Sequence, residues 1–185
     1  MRKLGVFNFI TANGFYKGDQ EDISWHRHGQ EEGEYAAEGA QSESVLLLGR
    51  KTYDMMASFW PTEAAMQQMP DVADGMNKSQ KFVFSRTMTS ASWVNTTVIN
   101  QDIVKFVDDL KKSEGNDMTI LGSGSIVTQL SEARLIDEYQ LMVDPVVLGS
   151  GTPLFQGLNT KLDFKLSHSK VFRSGVVLLV YKLQQ

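Results

Sequence analysis

The period of the apolar residues changes along this chain, and that change constrains the fold more than any other feature. In the first two thirds, short and uniformly apolar runs alternate with stretches at helical spacing. Residues 4–10 (LGVFNFI), 45–48 (VLLL), 81–84 (KFVF), 93–99 (WVNTTVI) and 118–121 (MTIL) read as strands. Residues 30–42, the stretch from Arg50, residues 101–113 and the stretch from Ile126 read as helices. Afterwards the period becomes two. Residues 136–148, 162–172 and 176–183 read as longer strands, the last two joined as a hairpin at Arg173-Ser174-Gly175. Apolar strands each followed by a helix imply a parallel sheet covered on both faces. The expected architecture is therefore a single α/β domain over 1–185. Its mixed sheet is mostly parallel, with helices on both faces and a C-terminal antiparallel hairpin at one edge.

A chain of 185 residues buries about 70% of its unfolded surface, so it needs no covalent staple. It contains no cysteine, which removes disulfides, thiolate metal sites and cysteine nucleophiles together. Eighteen basic residues against 22 acidic ones give a net charge of −4, which argues against a nucleic-acid partner. The apolar stretch after Arg2 and Lys3 is interrupted at Gly5 and Asn8, and no run approaches the ~18–20 residues of a membrane helix. A cytoplasmic protein with no membrane partner is expected. His26 and His28 flank Arg27 in a polar loop and His168 lies in the terminal hairpin, so no metal site is expected. There is no Gly-x-Ser-x-Gly elbow of a serine hydrolase.

Ligands of open α/β sheets bind beyond the carboxyl ends of the strands. Three such ends here carry chemistry. MTIL runs into Gly122-Ser123-Gly124-Ser125 and then a helix, where glycines admit a phosphate to free N–H groups and a positive dipole end. The plain alternative is a turn, for which Gly and Ser suit equally. VLLL runs into Gly49-Arg50-Lys51-Thr52, placing two cations where they oppose the helix dipole at a cost of about 0.3–1 kcal/mol each. Solvated side chains can bear that cost, and a bound polyanion would remove it. The run is not a P-loop, because the upstream glycine is missing. KFVF runs into Ser85-Arg86-Thr87. Two basic clusters and a glycine loop match the charge distribution of a dinucleotide with an extra 2′-phosphate. In the helix over 30–42, Gly33, Ala36, Ala37 and Ala40 share a narrow face suited to close packing on the sheet. Glu31, Glu34 and Glu38 lie opposite with Tyr35, the acids towards water, and Gln30 sits at the edge of the small face.

These residues together resemble a known family. Leu47-Leu48-Gly49-Arg50-Lys51-Thr52-Tyr53 resembles the Gly-Arg-x-Thr-Tyr/Trp signature of the dihydrofolate reductase fold. Phe59-Trp60-Pro61, Met76-Asn77 before Lys81, Ser85-Arg86-Thr87, Gly122 to Ser125, Leu135-Ile136-Asp137-Glu138 and the run from Pro145 to Phe155 are similar to the branch containing the reductase domain of riboflavin biosynthesis. The matches span almost the whole chain. The resemblance implies an NADPH-binding reductase. Arg50, Lys51, Thr52, Ser85, Arg86 and Thr87 would hold the 2′-phosphate side, and Gly122, Ser123, Gly124, Ser125 and Ile126 the pyrophosphate. Asn13 and Gly14, within Thr11 to Gly14, would border the nicotinamide, under a loop from Phe15 to Gly29. Trp25, Gln30, Glu34, Phe59 and Trp60 would surround the substrate.

Two departures from the pattern set expectations. The turn after the first strand is Thr11-Ala12-Asn13-Gly14 in place of Ser-x-Asp-Gly. The acid that folate reductases carry near the start of the first helix falls at Gln30, and glutamine cannot donate a proton as a carboxylic acid does. Unless Glu31 or Glu34 substitutes, dihydrofolate reduction is therefore expected to be slow or absent, with Gln30→Asp raising it, and any proton would come from water or from the loop acids Asp19, Glu21 and Asp22. The zinc deaminase half of the bifunctional riboflavin enzyme is excluded by the lack of cysteine. The expected activity is hydride transfer from NADPH to a small pterin-like or aminopyrimidine heterocycle. The competing expectation is a nucleotide-binding module of the same fold without catalysis. Arg50, Lys51 and Arg86 have no acidic partner evident in the sequence, so NADPH should be preferred to NADH. A homodimer through the apolar C-terminal strands is also expected.

Overall fold

The computed structural model describes residues 1–184. Its strands are β1 (Leu4–Thr11), β2 (Phe15–Lys17), β3 (Val45–Gly49), β4 (Lys81–Phe84), β5 (Thr96–Ile99), β6 (Met118–Leu121), β7 (Glu138–Asp144), β8 (Thr152–Pro153), β9 (Phe164–Val171) and β10 (Val177–Leu183). The α-helices are α1 (Gln30–Ala40), α2 (Arg50–Ala57), α3 (Glu63–Gln68), α4 (Pro70–Lys78), α5 (Ile103–Lys112) and α6 (Gly124–Glu132). Eight strands form one sheet in the order β5-β4-β3-β6-β1-β7-β10-β9, and β2 pairs with β8 apart from it. The strands from β5 to β7 are all parallel, whereas β10 runs antiparallel to both β7 and β9. This is the expected mixed sheet with its antiparallel edge.

The short strands are apolar throughout because both faces are covered. In β3, Leu47 and Leu48 point to opposite faces and both are fully buried. Leu47 joins the core that α5 and α6 cover with Val107, Val127 and Leu130. Leu48 joins the opposite core with Tyr53 of α2, Val72 and Met76 of α4 and the alanines of α1. A third cluster, of Met142, Phe172, Val176, Leu178 and Val180, covers the β7–β10 end.

Several boundaries moved for local reasons. β7 stops at Asp144 because Pro145 has no N–H for the ladder. The strand expected from Trp93 starts at Thr96, since Trp93 is buried in the core and Asn95 takes a left-handed φ of 58°. The helical stretch from Arg50 is three helices, because Thr62 caps α3 by accepting from Ala65 N and Pro70 opens α4. Tyr35 does not face water: its ring packs near Phe7 and Phe172, and its hydroxyl donates to Gln140 Oε1 at 2.8 Å. The small face of α1 meets α4 as well as the sheet. A Cβ at Gly75 would lie 2.4 Å from the Ala40 carbonyl oxygen, so only glycine permits that crossing.

Lys81, one of the residues of the family pattern, is structural. Its buried ammonium donates to the carbonyls of Met76 and Ser79 at 2.8 and 2.6 Å and lies 4.4 Å from the Trp93 ring centre. A cation thereby closes the C-terminus of α4. Burial pulls that ammonium down to about 8. No helix among the described residues is long and apolar enough to cross a membrane.

Candidate active site

A cleft opens beyond the carboxyl ends of β3, β4 and β6, and the three chemistry-bearing strand ends meet there. Gly49, Arg50, Lys51, Thr52, Ser85, Arg86, Thr87 and the run Gly122 to Ile126 all line it. The binding elements are tied to one another through Ser123. Its hydroxyl accepts from Gly49 N at 2.7 Å and donates to Thr52 Oγ1 at 2.9 Å, across more than 70 residues of sequence. Ser123 adopts a left-handed φ of 57°, as does Gly122. A left-handed serine held by contacts to the end of β3 and the first turn of α2 is local strain imposed by its surroundings. Its hydroxyl is engaged sideways, so it cannot cap α6. The helices α1, α2 and α6 all start without a side-chain cap, at Gly29, Gly49 and Ser123. All three of those residues line the cleft. By contrast, Asp102 caps α5 by accepting from Lys105 N.

This end suits a polyanion. The first turns of α2 and α6 leave N–H groups and positive dipole ends beside three cations. Backbone access at α6 depends on glycine: a Cβ on Gly124 would stand 2.7 Å from the Tyr16 ring, which covers the cradle, and one on Gly122 would stand 3.2 Å from Thr52. Arg50 Nη1 donates to Thr87 Oγ1 at 2.8 Å and so joins the first two strand ends. Two of the three cations do have acidic partners. Arg50 lies 3.5 Å from Asp54, and Lys51 reaches Glu21 of the covering loop at 2.8 Å. Asp54 stands at i+4 on the same helix, a spacing that pairs side chains, whereas Glu21 comes from a loop 30 residues upstream, which spacing does not pair. Both pairs are exposed and weak.

The other end of the cleft is buried and was missed from sequence. His26 Nδ1 lies 2.6 Å from Asp144 Oδ2, with the two side chains 2% and 0% exposed. Asp144 Oδ1 accepts from Arg27 N at 2.9 Å. The His26 ring stacks on Phe9 with 3.6 Å between centres, and its Nε2 is buried without a hydrogen-bond partner. Burial pushes the imidazole below its ordinary value, against the opposing pull of Asp144. Glu32 is also buried, and its carboxylate accepts from Ser174 Oγ in the β9–β10 turn. A signal for Glu32 did exist: it stands four residues before Ala36 and eight before Ala40, beside the small face of α1. Nothing local pairs His26 with a residue 118 positions away.

The remaining assignments divide. Trp25, Gln30, Phe59 and Trp60 line the cleft. Glu34 does not; it is exposed and accepts the Gln30 amide at 2.9 Å. Asn13 and Gly14 are not among the lining residues either. Asn13 accepts from Thr11 Oγ1 and donates to the Leu148 carbonyl, and Gly14 makes the turn with φ 84°. Gln30 is itself exposed, so a carboxyl placed there would gain no desolvation, and Gln30→Asp would not create the raised acid expected of it. Two of the loop acids, Glu21 and Asp22, are favoured as carboxylates. Hydrogen bonds from Lys17 and Lys51 lower Glu21, and the Ser24 backbone N–H lowers Asp22. Glu31, expected in water, accepts from Arg173 N at 2.9 Å. No group of side chains suited to a metal ion occurs among the described residues.

Comparison with known proteins agrees with this architecture. The uncharacterised protein YyaP of Bacillus subtilis (strain 168) is 30% identical over 173 residues, which is 93% of this chain and 90% of that one. A solved structure of a candidate riboflavin biosynthesis protein from Shewanella sp. PV-4 superposes with TM-score 0.77 at 23% identity, covering 99% of each chain. Dihydrofolate reductase from Enterococcus faecalis, solved with NADP(H), superposes with TM-score 0.64 at 15% identity over 99% of this chain and 97% of that one. The fold is thus that of dihydrofolate reductase. The model of the RibD C-terminal domain matches residues 2–178, and with the strand-end motifs in place the chain belongs to that family.

Proposed function

We propose that this protein is an NADPH-dependent reductase acting on a small heterocycle, either pterin-like or an aminopyrimidine riboside phosphate. The observation that carries the reading is the meeting of Arg50, Lys51, Arg86 and the uncapped N-terminus of α6 in one cleft. NADPH bound there would supply hydride. The chain's own residues would do the rest. Gly122 and Gly124 admit the pyrophosphate to the backbone, and the cations balance the 2′-phosphate. Tyr16 and Trp25 of the covering loop line the cleft and would exclude water from it. Family membership supports a reductase, and the E. faecalis enzyme's NADP(H) supports the cofactor.

The test is NADPH oxidation over a panel of pterins and aminopyrimidine ribosides, beside NADPH binding measured by fluorescence. Turnover of any member supports the proposal. Binding without turnover favours a second reading, a nucleotide-binding module without catalysis, which the exposed amide at Gln30 recommends. Absence of NADPH binding overturns both.

We infer in addition that the protein is a homodimer through β9. Phe172, Val176, Leu178 and Val180 are buried within the chain, but Leu166 and Val171 on this edge strand remain 49% and 73% exposed. A monomer mass by light scattering at micromolar concentration would overturn it.

A further inference from the structure

We propose that His26 is the proton donor of the reduction, its Nε2 delivering the proton to the heteroatom of a C=N or C=O bond in the substrate, with Asp144 as its positioning residue. The proposal rests on the reductase reading, which supplies the hydride.

The geometry fixes what each nitrogen can do. Asp144 is wholly buried, and its two oxygens face His26 Nδ1 and Arg27 N. A carboxylate at 2.6 Å holds the hydrogen on Nδ1, which leaves Nε2 as the nitrogen that gains and loses a proton. Phe9 stacked at 3.6 Å and Trp25 edge-on at 6.3 Å keep the ring from turning. Nε2 is left with no partner although the side chain is 98% buried on a residue that lines the cleft. Buried polar atoms are rarely left so; Nε2 is closed to solvent here, and a substrate heteroatom would complete it once the loop bearing Trp25 and His28 gives way to the substrate.

The carboxyl groups at this end are already engaged, and His28, the other imidazole lining the cleft, is exposed where His26 is buried and fixed by Asp144. Gln30 is an amide hydrogen-bonded to Glu34, while Glu31 and Glu32 accept from Arg173 N and Ser174 Oγ. Glu21 is held between Lys17 and Lys51. The step balances: hydride brings two electrons and one hydrogen to the carbon, the π bond opens towards the heteroatom, and that atom takes the proton from Nε2. The imidazole is left neutral and is reprotonated from solvent. The charged and titratable groups facing His26 are Asp144 from β7, Arg27 and His28 from the loop, and Glu32 from α1. Because the protonated imidazole is the active form and burial lowers it, turnover should fall as pH rises through its titration, below the ordinary histidine value.

The experiment follows NADPH oxidation with 5-amino-6-(5-phosphoribosylamino)uracil and with dihydrofolate, from pH 5 to pH 9. His26→Gln should lower kcat by about 10²–10⁴-fold, remove the alkaline limb of the profile and leave the Kd for NADPH within about twofold. Asp144→Asn should lower kcat by a smaller factor and shift the limb. If the wild type turns over either compound and His26→Gln keeps its kcat and limb, the proposal falls and the reductase reading stands. If the wild type turns over neither, both fall. Should His26→Gln lose NADPH binding and fail to fold, nitrogen NMR of the wild type decides. With NADP⁺ present, the Nε2 resonance should move when the aminopyrimidine is added, and an unmoved resonance overturns the proposal.

Discussion

The two ends of the cleft are built on opposite principles. At the end formed by α2, α6 and the β4 terminus, the charged groups are exposed, loosely paired and borne by contiguous residues. Arg50 and Lys51 stand 57% and 77% exposed, and each gives up only a weak surface contact if a ligand displaces it. At the end formed by His26, Asp144 and Glu32, the polar groups are buried and almost fully paired. There Asp144 alone fastens two consecutive loop residues. A site for a soluble polyanion can remain open to water, because the ligand brings its own charge. A site for proton transfer must hold one imidazole in one orientation, and burial accomplishes that.

The contrast breaks most visibly in stability. Asp144→Ala strands the buried His26 Nδ1 and the part-buried Arg27 N–H and should cost about 2–4 kcal/mol, whereas Arg50→Ala should stay within about 0.5 kcal/mol. Urea unfolding of the two variants measures both, and similar losses would show that the ends are not built differently. Ligand affinity should run the other way. Arg50→Ala is expected to weaken NADPH by about 1.5–3 kcal/mol through loss of a charge-assisted contact and to leave NADH nearly unchanged. Equal losses for both cofactors would remove this cluster from the 2′-phosphate. The smallest effect sharpens the buried end. Because burial lowers His26, the unfolded chain takes up that proton first as pH falls. Its contribution is complete above about pH 6.5 and is lost as pH drops from there through the folded value. The urea midpoint should therefore decline between pH 7 and pH 5, and His26→Gln should flatten the decline.

The same contrast explains what could be read from sequence. Gly49-Arg50-Lys51-Thr52 and Gly122 to Ser125 announce themselves because strand, turn and helix start are adjacent in the chain, and the parallel sheet brings such ends together without further information. The sheet was legible for that reason, and so was the antiparallel edge, from the change to period two. The pairs that complete the cleft were not. His26 with Asp144 and Glu32 with Ser174 join residues more than 110 positions apart, and neither partner departs from ordinary loop or helix composition. Glu34 and Asn13 stand outside the cleft lining because a side chain can satisfy itself locally, on Gln30 in one case and on Thr11 and Leu148 in the other.

The position of β1 has a consequence for how the molecule comes into being. This first strand lies at the middle of the sheet, and both its neighbours, β6 and β7, come from beyond residue 117. During synthesis β3, β4 and β5 can assemble on one another as soon as they emerge, while β1 waits with Leu4, Val6 and Phe9 unsheltered. Chains are made at about 5–20 residues per second, so that exposure lasts for several seconds at least. The late pairing of distant strands is the slow event in such topologies. The polar residue Asn8, set among those apolar ones, keeps the waiting segment from being a uniform sticky run.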